Sequence, residues 1–130
     1  MLGLINDVRN KTNPELDSLY IEEDLNKIAQ AHSVDMVVRK FFGHRNPNGQ
    51  GAQTRAYAAG FNYPVGENVA YSSTLTSVHQ ALMSSSEHYK NTINPDWTRV
   101  GIGMYTSENG NIYVTILFSM RDIALFPLTD

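Results

Sequence analysis

The sequence predicts an α+β domain, because stretches of helical period fill its first two-thirds and a β-hairpin closes it. Two observations carry that reading. Leu25, Ile28, Ala29, His32 and Met36 fall on one helical face. Near the other end, Val100, Ile102 and Met104 and the β-branched and aromatic run 112–118 flank Asn109-Gly110, a strong hairpin-turn signal. The helical stretches precede the hairpin instead of alternating with strands, which separates this chain from the α/β class.

The elements follow in order. Leu2, Ile5 and Val8 recur at helical spacing and predict a first helix, which the polar stretch 10–14 ends at Pro14. The second helix opens on Glu22, Glu23 and Asp24, where the helix dipole favours negative charge, and ends near Arg39 and Lys40, where it favours cations. Residues 43–51 read as a loop, with Gly43 and Gly51 at its ends and Gly49 after Asn48. A short helix over 52–59 stops at Gly60. Residues 65–71 read as extended. Leu75, Val78, Leu82, Ser86 and Tyr89 then share a helical spacing, with Thr74 or Thr76 as the cap and Pro95 closing the region. After the hairpin, the apolar stretch 123–128 predicts a tail (119–130) packed on a single domain spanning 1–130.

Composition narrows the function classes. A chain of 130 residues with 42% hydrophobic and 18% charged residues is a single domain able to bury its own core. The formal net charge of -3, with no run of Lys or Arg, argues against nucleic acid as a partner. No apolar run reaches the roughly 20 residues of a membrane span, so no transmembrane segment is expected. With no cysteine, disulfides, thiolate ligands and a cysteine nucleophile are all excluded. A helix beginning at the second residue predicts an export signal or anchor upstream of this chain.

Several phrases, in this order, resemble one family. They are Leu4-Ile5-Asn6-Asp7-Val8-Arg9; Ala31-His32-Ser33-Val34-Asp35-Met36; Phe42-Gly43-His44 followed by Asn48-Gly49 and Arg55; Gly66-Glu67-Asn68-Val69-Ala70; and Ser84 to His88 followed by Asn91, Ile93, Val100-Gly101-Ile102-Gly103 and Phe118. Together they resemble the CAP superfamily (cysteine-rich secretory proteins, antigen five and pathogenesis-related proteins), in its prokaryotic SCP-like extracellular branch. The resemblance implies a three-layer α-β-α sandwich with a small central antiparallel sheet. It also implies a secreted or cell-surface protein, and an open cleft where His44, Glu67 and His88 meet. Some members bind a divalent metal through the two histidines. Many eukaryotic members carry a second cleft glutamate on the helix before the last histidine; here that helix offers His79, Gln80 and Leu82, with Glu87 nearby.

Those residue types suit several chemistries. Two imidazoles and a carboxylate form a first shell for zinc or a similar divalent ion, with an open fourth position. The expected metal ligands are therefore His44, His88 and Glu67. The His-Glu-x-x-His helix of metalloproteases is absent. Plainer roles compete at each position. His44 can cap a turn, Glu67 can hold the Gly66 turn, and His88 can meet the carbonyls ending its helix. Asn68 reads as structural, His32 as a satisfied core histidine, His79 as solvent-facing, and Arg55 as the partner of an internal carboxylate. Ser84, Ser85 and Ser86 beside Glu87-His88 do not by themselves make a triad, and no Gly-x-Ser-x-Gly elbow exists. Tyr57, Phe61, Tyr63 and Tyr71 either line a ligand cleft or pack as core and rim.

The expected function is an extracytoplasmic binding module whose His/Glu-lined cleft takes a divalent metal, zinc foremost, and a peptide, glycan or lipid ligand. The alternative is a metal-dependent hydrolase, protease or esterase-like, with Glu67 or Glu87 as its catalytic carboxylate. A third reading is an adhesion or envelope module without an active cleft.

Overall fold

The computed structural model describes residues 1–120. The elements are α1 (Leu2–Thr12), β1 (Tyr20–Ile21), α2 (Glu23–Val38), α3 (Ala52–Ala58), β2 (Val65–Ser72), α4 (Leu75–Ser84), α5 (Ser86–Thr92), β3 (Arg99–Thr106) and β4 (Ile112–Ser119). The tail expected over 119–130 lies outside the described residues, apart from Ser119 and Met120.

The strands form one sheet in the order β1-β3-β4-β2. β4 pairs antiparallel with both β3 and β2, as expected. β1 corrects the purely antiparallel sheet: it runs parallel to β3, with Tyr20 opposite Arg99 and Ile21 opposite Val100. Two residues leave no periodicity to read, so the sequence gives no sign of this strand. Beyond it the outer edge of β3 is closed by side chains. Asn26 accepts from the Ile102 N–H, and Gln30 both accepts from the Met104 N–H and donates to its carbonyl. Two amides on α2 thus satisfy an edge that would otherwise offer itself for pairing.

Each face of the sheet carries its own core, which makes the molecule a three-layer sandwich. On one side Leu25, Ile28 and Ala29 of α2, Ala56 of α3, Phe61 and Leu117 cluster. On the other, Ile5, Val78, Leu82, Trp97, Val100, Val114, Ile116 and Phe118 do so. Alternation along β4 divides the work, Leu117 facing α2 and Ile116 and Phe118 facing away. Gly101 and Gly103 explain how closely α2 lies. A Cβ at Gly101 would sit 2.3 Å from the Leu25 carbonyl carbon, and one at Gly103 would sit 2.2 Å from the Gln30 nitrogen.

Three sequence expectations shift in detail. The helical run 75–89 breaks at Ser85, whose backbone is extended (φ -95, ψ 124), giving α4 and α5 in place of one helix. Thr74, not Thr76, caps α4, in a reciprocal capping box with Ser77. In the hairpin only Gly110 takes positive φ (89°); Ser107 and Gly110 close the turn, so Asn109 serves as a hydrogen-bonding turn residue.

Arg9 fastens α1 to the rest. It is 1% exposed, and its guanidinium donates to the carbonyls of Asp17, Thr92, Asn94 and Trp97. The Thr92 carbonyl is an orphan at the end of α5, which needs a donor.

Candidate functional site

β2 is an edge strand, so elements from both faces of the sheet can meet around its free side. The loop after α2 arrives from one face and α5 from the other. Between them lies a solvent-open hollow of about 380 Å³, lined by His44, Glu67, Asn68, Glu87, His88 and Asn91 among others. His44, Glu67 and His88 therefore meet, although they come from three separate stretches of chain.

His32 holds the first arm. This core histidine is 1% exposed, and its Nε2–H donates to the Gly43 carbonyl at 2.8 Å, directly before His44. Burial pushes its pKa down, consistent with a neutral ring.

Glu67 holds the ring of His44. Its carboxylate accepts from His44 Nδ1 at 2.9 Å and from Arg55 Nη2 at 2.9 and 2.8 Å. Arg55 Nη2 also donates to the His44 carbonyl at 2.7 Å. The carboxylate is 2% exposed and the Arg55 side chain 9%, whereas His44 is 53% exposed. The buried ion pair thus fixes one nitrogen of an open imidazole and leaves Nε2 as the other. The hydrogen bond to Glu67 raises the His44 pKa above its ordinary value, with burial opposing.

Asn68 holds the second arm. It faces opposite to Glu67 and is 1% exposed. Its amide donates to the His88 carbonyl (3.1 Å) and the Thr92 hydroxyl (3.2 Å), and its oxygen accepts from Asn91 (3.1 Å). Asn91 in turn accepts from the Trp97 indole N–H at 3.1 Å. Gly66 is required beside this network, since a Cβ there would lie 2.7 Å from the Trp97 ring and 2.9 Å from Asn91 Oδ1. Gly66, Glu67 and Asn68 thus play three distinct parts. Gly66 permits the close approach of Trp97, Glu67 orients His44, and Asn68 anchors α5. The His88 pKa is lowered, by burial first and then by the nearby positive charge of His44.

The three-ligand metal set does not assemble in the expected form. Among the described residues no group of three or more His, Asp or Glu side chains is disposed to hold a metal ion. The physical reason is that the Glu67 oxygens are taken up by Arg55 and His44. His44 and His88 line the hollow without Glu67 being free to join them, and Glu87 lines the same hollow.

Other sequence candidates settle elsewhere. Ser84 donates to the Gln80 carbonyl, and none of Ser84, Ser85 or Ser86 lines the hollow, so no serine triad is built. His79 is half-buried instead of solvent-facing, and burial lowers its pKa. Phe61 belongs to the core beside α3, with Tyr63 packed against it. The internal carboxylate that pairs with Arg55 is Glu67; the signal in the sequence is a lone arginine in a short helix beside Ala52 and Ala56. A larger hollow, about 1120 Å³, runs along α2 and α3 and is walled largely by aliphatic groups such as Val34 and Ala58.

Both the sequence and the fold match known proteins. The family model for the cysteine-rich secretory protein family, CAP, matches residues 2–118, and the chain belongs to that family. It is 36% identical over 100 residues to the "Uncharacterized protein YkwD" of Bacillus subtilis (strain 168), a match covering 75% of this chain and 38% of that protein. The chain thus spans well under half the length of that relative. Among solved structures, an outer surface protein from Borrelia burgdorferi superposes with a TM-score of 0.84 at 22% identity, covering 93% of this chain and 90% of that one. An extracellular protein containing an SCP domain from Bacillus anthracis gives 0.78 at 25% identity, covering 92% and 40%. NaASP2, solved with Zn2+, shares the fold at 0.65 and 13% identity, covering 90% and 75%. No described helix is long and apolar enough to cross a membrane.

Proposed function

We propose that this chain is an extracytoplasmic CAP-domain binding module. Its cleft around His44 and His88 takes a divalent cation, zinc foremost, together with a peptide, glycan or lipid ligand. The observation that carries the reading is the pairing of an oriented, open imidazole with a second imidazole in one hollow. Glu67 and Arg55 preset the His44 ring, so little ordering cost is left for binding. Glu67 acts here as a positioning residue, in the manner of carboxylates that orient metal-binding histidines. A bound divalent ion would supply a positive anchor for a carbonyl or an anionic group. The extracellular and surface relatives support the compartment.

A purified-domain titration tests this. Zinc is titrated by calorimetry into the wild type and into His44→Ala and His88→Ala. Saturable binding that weakens in both variants is expected. Equal binding in all three removes the site. Zinc-loaded protein is then incubated with mixed peptide and ester substrates. Turnover lost in both variants would establish the alternative, a metal-dependent hydrolase with Glu87 as its proton-handling group. Unchanged partner binding with no zinc response points to the adhesion reading.

A further inference from the structure

One edge of the sheet is closed by side chains, and the other is not. Ile102 and Met104 turn their N–H groups outward from β3, to Asn26 and Gln30. Gly101 and Gly103 therefore face β4, where they pair with Leu117 and Thr115. That leaves Phe118, Ile116 and Val114 to bond to Gly66, Asn68 and Ala70 of β2. Val65, Glu67, Val69 and Tyr71 thus turn their main-chain N–H and C=O groups to the free side of β2. Val65 agrees with this parity, since its outward N–H donates to the Gln53 side-chain oxygen at 3.0 Å.

At Glu67 no side chain closes the edge. Among the described residues its main-chain N–H and C=O have no hydrogen-bond partner. Glu67 is partly exposed although its side chain is only 2% exposed, so the part that meets solvent is main chain. It lines the hollow that holds His44 and His88. The outward groups on either side are not offered in the same way. Val65 is taken by Gln53, and Val69 is 3% exposed. The open edge in this hollow is therefore a single donor–acceptor pair.

Such a pair selects its partner by geometry. An extended peptide residue carries its N–H and C=O on one edge and meets both groups at once, as in a hydrogen-bonded antiparallel pair. The planar trans amide of an acetylated sugar points its N–H and C=O in opposite directions, and an alkyl chain offers neither. A volume of about 380 Å³ suits a short segment.

Resting on the reading of this hollow as the binding cleft, we propose that its ligand is a short extended peptide segment, held by two-way main-chain pairing with Glu67. The ligand residue opposite Glu67 points its side chain to the face of His44. Its neighbours point theirs towards α5, where Lys90, Asn91 and Asn94 line the hollow.

Amide hydrogen exchange checks the edge first. In the free domain the Glu67 N–H should exchange at least about tenfold faster than those of Gly66 and Asn68, which are bonded to β4. Equal protection overturns the proposal. Pools of blocked tripeptides (acetylated and amidated, each position alanine, leucine, phenylalanine, serine, aspartate or lysine) are then followed by two-dimensional NMR, with and without zinc. A saturable shift of the Glu67 amide is expected, with slower exchange there. N-methylation is next scanned along the tightest peptide, which leaves the buried Glu67–Arg55 pair untouched. One position should lose affinity about tenfold or more, because it removes the donor to the Glu67 carbonyl. Its neighbours, whose N–H groups point away from β2, should change affinity by less than about threefold. Equal losses at every position, or none, overturn the proposal. It also falls if no pool shifts Glu67 at millimolar concentration, or if triacetylchitotriose shifts it and the peptides do not. Zinc binding that weakens in His44→Ala and His88→Ala while no pool reaches Glu67 keeps the metal cleft and strikes the peptide. A single N-methyl-sensitive position without any zinc binding does the reverse.

Discussion

His44 and His88 face one hollow, yet their surroundings push their protonation in opposite directions. Glu67 accepts a hydrogen bond from His44 and raises its pKa; burial, then the charge of His44, lowers that of His88. His44 has a folded value above its unfolded one, near 6.5, so its bond to Glu67 stabilises fully below about that pH and fades as pH rises through the folded value. For His88 the folded value is the lower. Its contribution is present above about pH 6.5 and is lost as pH falls through the folded value. In an NMR titration of the ring protons of metal-free protein, His44 should therefore titrate at higher pH than His88. Glu67→Gln should bring the His44 midpoint down, and His44→Ala should raise that of His88 without restoring it fully, because burial persists. A His44 midpoint below that of His88 would contradict the geometry. At this scale the sequence was informative about identity and silent about role. The resemblance singled out His44, Glu67 and His88, and Asn68 read correctly as structural. That Glu67 spends its charge on Arg55 depends on where α3 lands, and no local pattern encodes that.

Among the elements, α2 and the strands beneath it are positioned by glycines whose reason is invisible in one dimension. Val100-Gly101-Ile102-Gly103 reads as a strand from its neighbours, and β3 forms there. What spacing cannot reveal is that the missing side chains let the α2 backbone lie against the sheet. Gly103→Ala would place a methyl group 2.2 Å from the Gln30 nitrogen, a backbone atom that cannot swing aside. The whole helix must shift, and overpacking of this kind costs about 1–3 kcal/mol. Gly3 makes the opposite case, for it sits in α1 and a methyl group added there would meet nothing within 4 Å. Gly3→Ala should be neutral or stabilise by up to about 1 kcal/mol, through lower chain entropy in the unfolded state. Urea midpoints should thus move in opposite directions for the two substitutions. A Gly103→Ala midpoint equal to the wild type would mean that α2 is not held at the observed distance. The same limit explains two misread boundaries. β1 is too short for a period, and the α4–α5 break at Ser85 interrupts a hydrophobic spacing that runs through it unbroken.

Across the whole molecule the sheet belongs to both cores, so the two outer layers should not melt separately. The fold class was legible because helical and strand periods occupy different parts of the chain. The joining of the layers was not, because it rests on polar groups far apart in sequence. Arg9 is the main example: a cation 1% exposed, held by four carbonyls from the loop after α1, the last residue of α5 and the connection from α5 to β3. Arg9→Ala strips the donor from buried carbonyls, including those of Thr92 and Trp97, and opens a cavity. Each unsatisfied buried group costs about 1–3 kcal/mol, so the expected loss is about 3 kcal/mol or more. The informative part is its distribution. Trp97, the single tryptophan, stacks on Phe118 of β4, in the core opposite α2. Far-UV circular dichroism instead weighs every helix, the long α2 among them. If the layers unfold as one unit, tryptophan fluorescence and circular dichroism should give a single shared urea midpoint in Arg9→Ala, lower than in the wild type. A fluorescence transition that precedes the loss of helix would show that α1 and α5 detach first, with α2 and the sheet outlasting them.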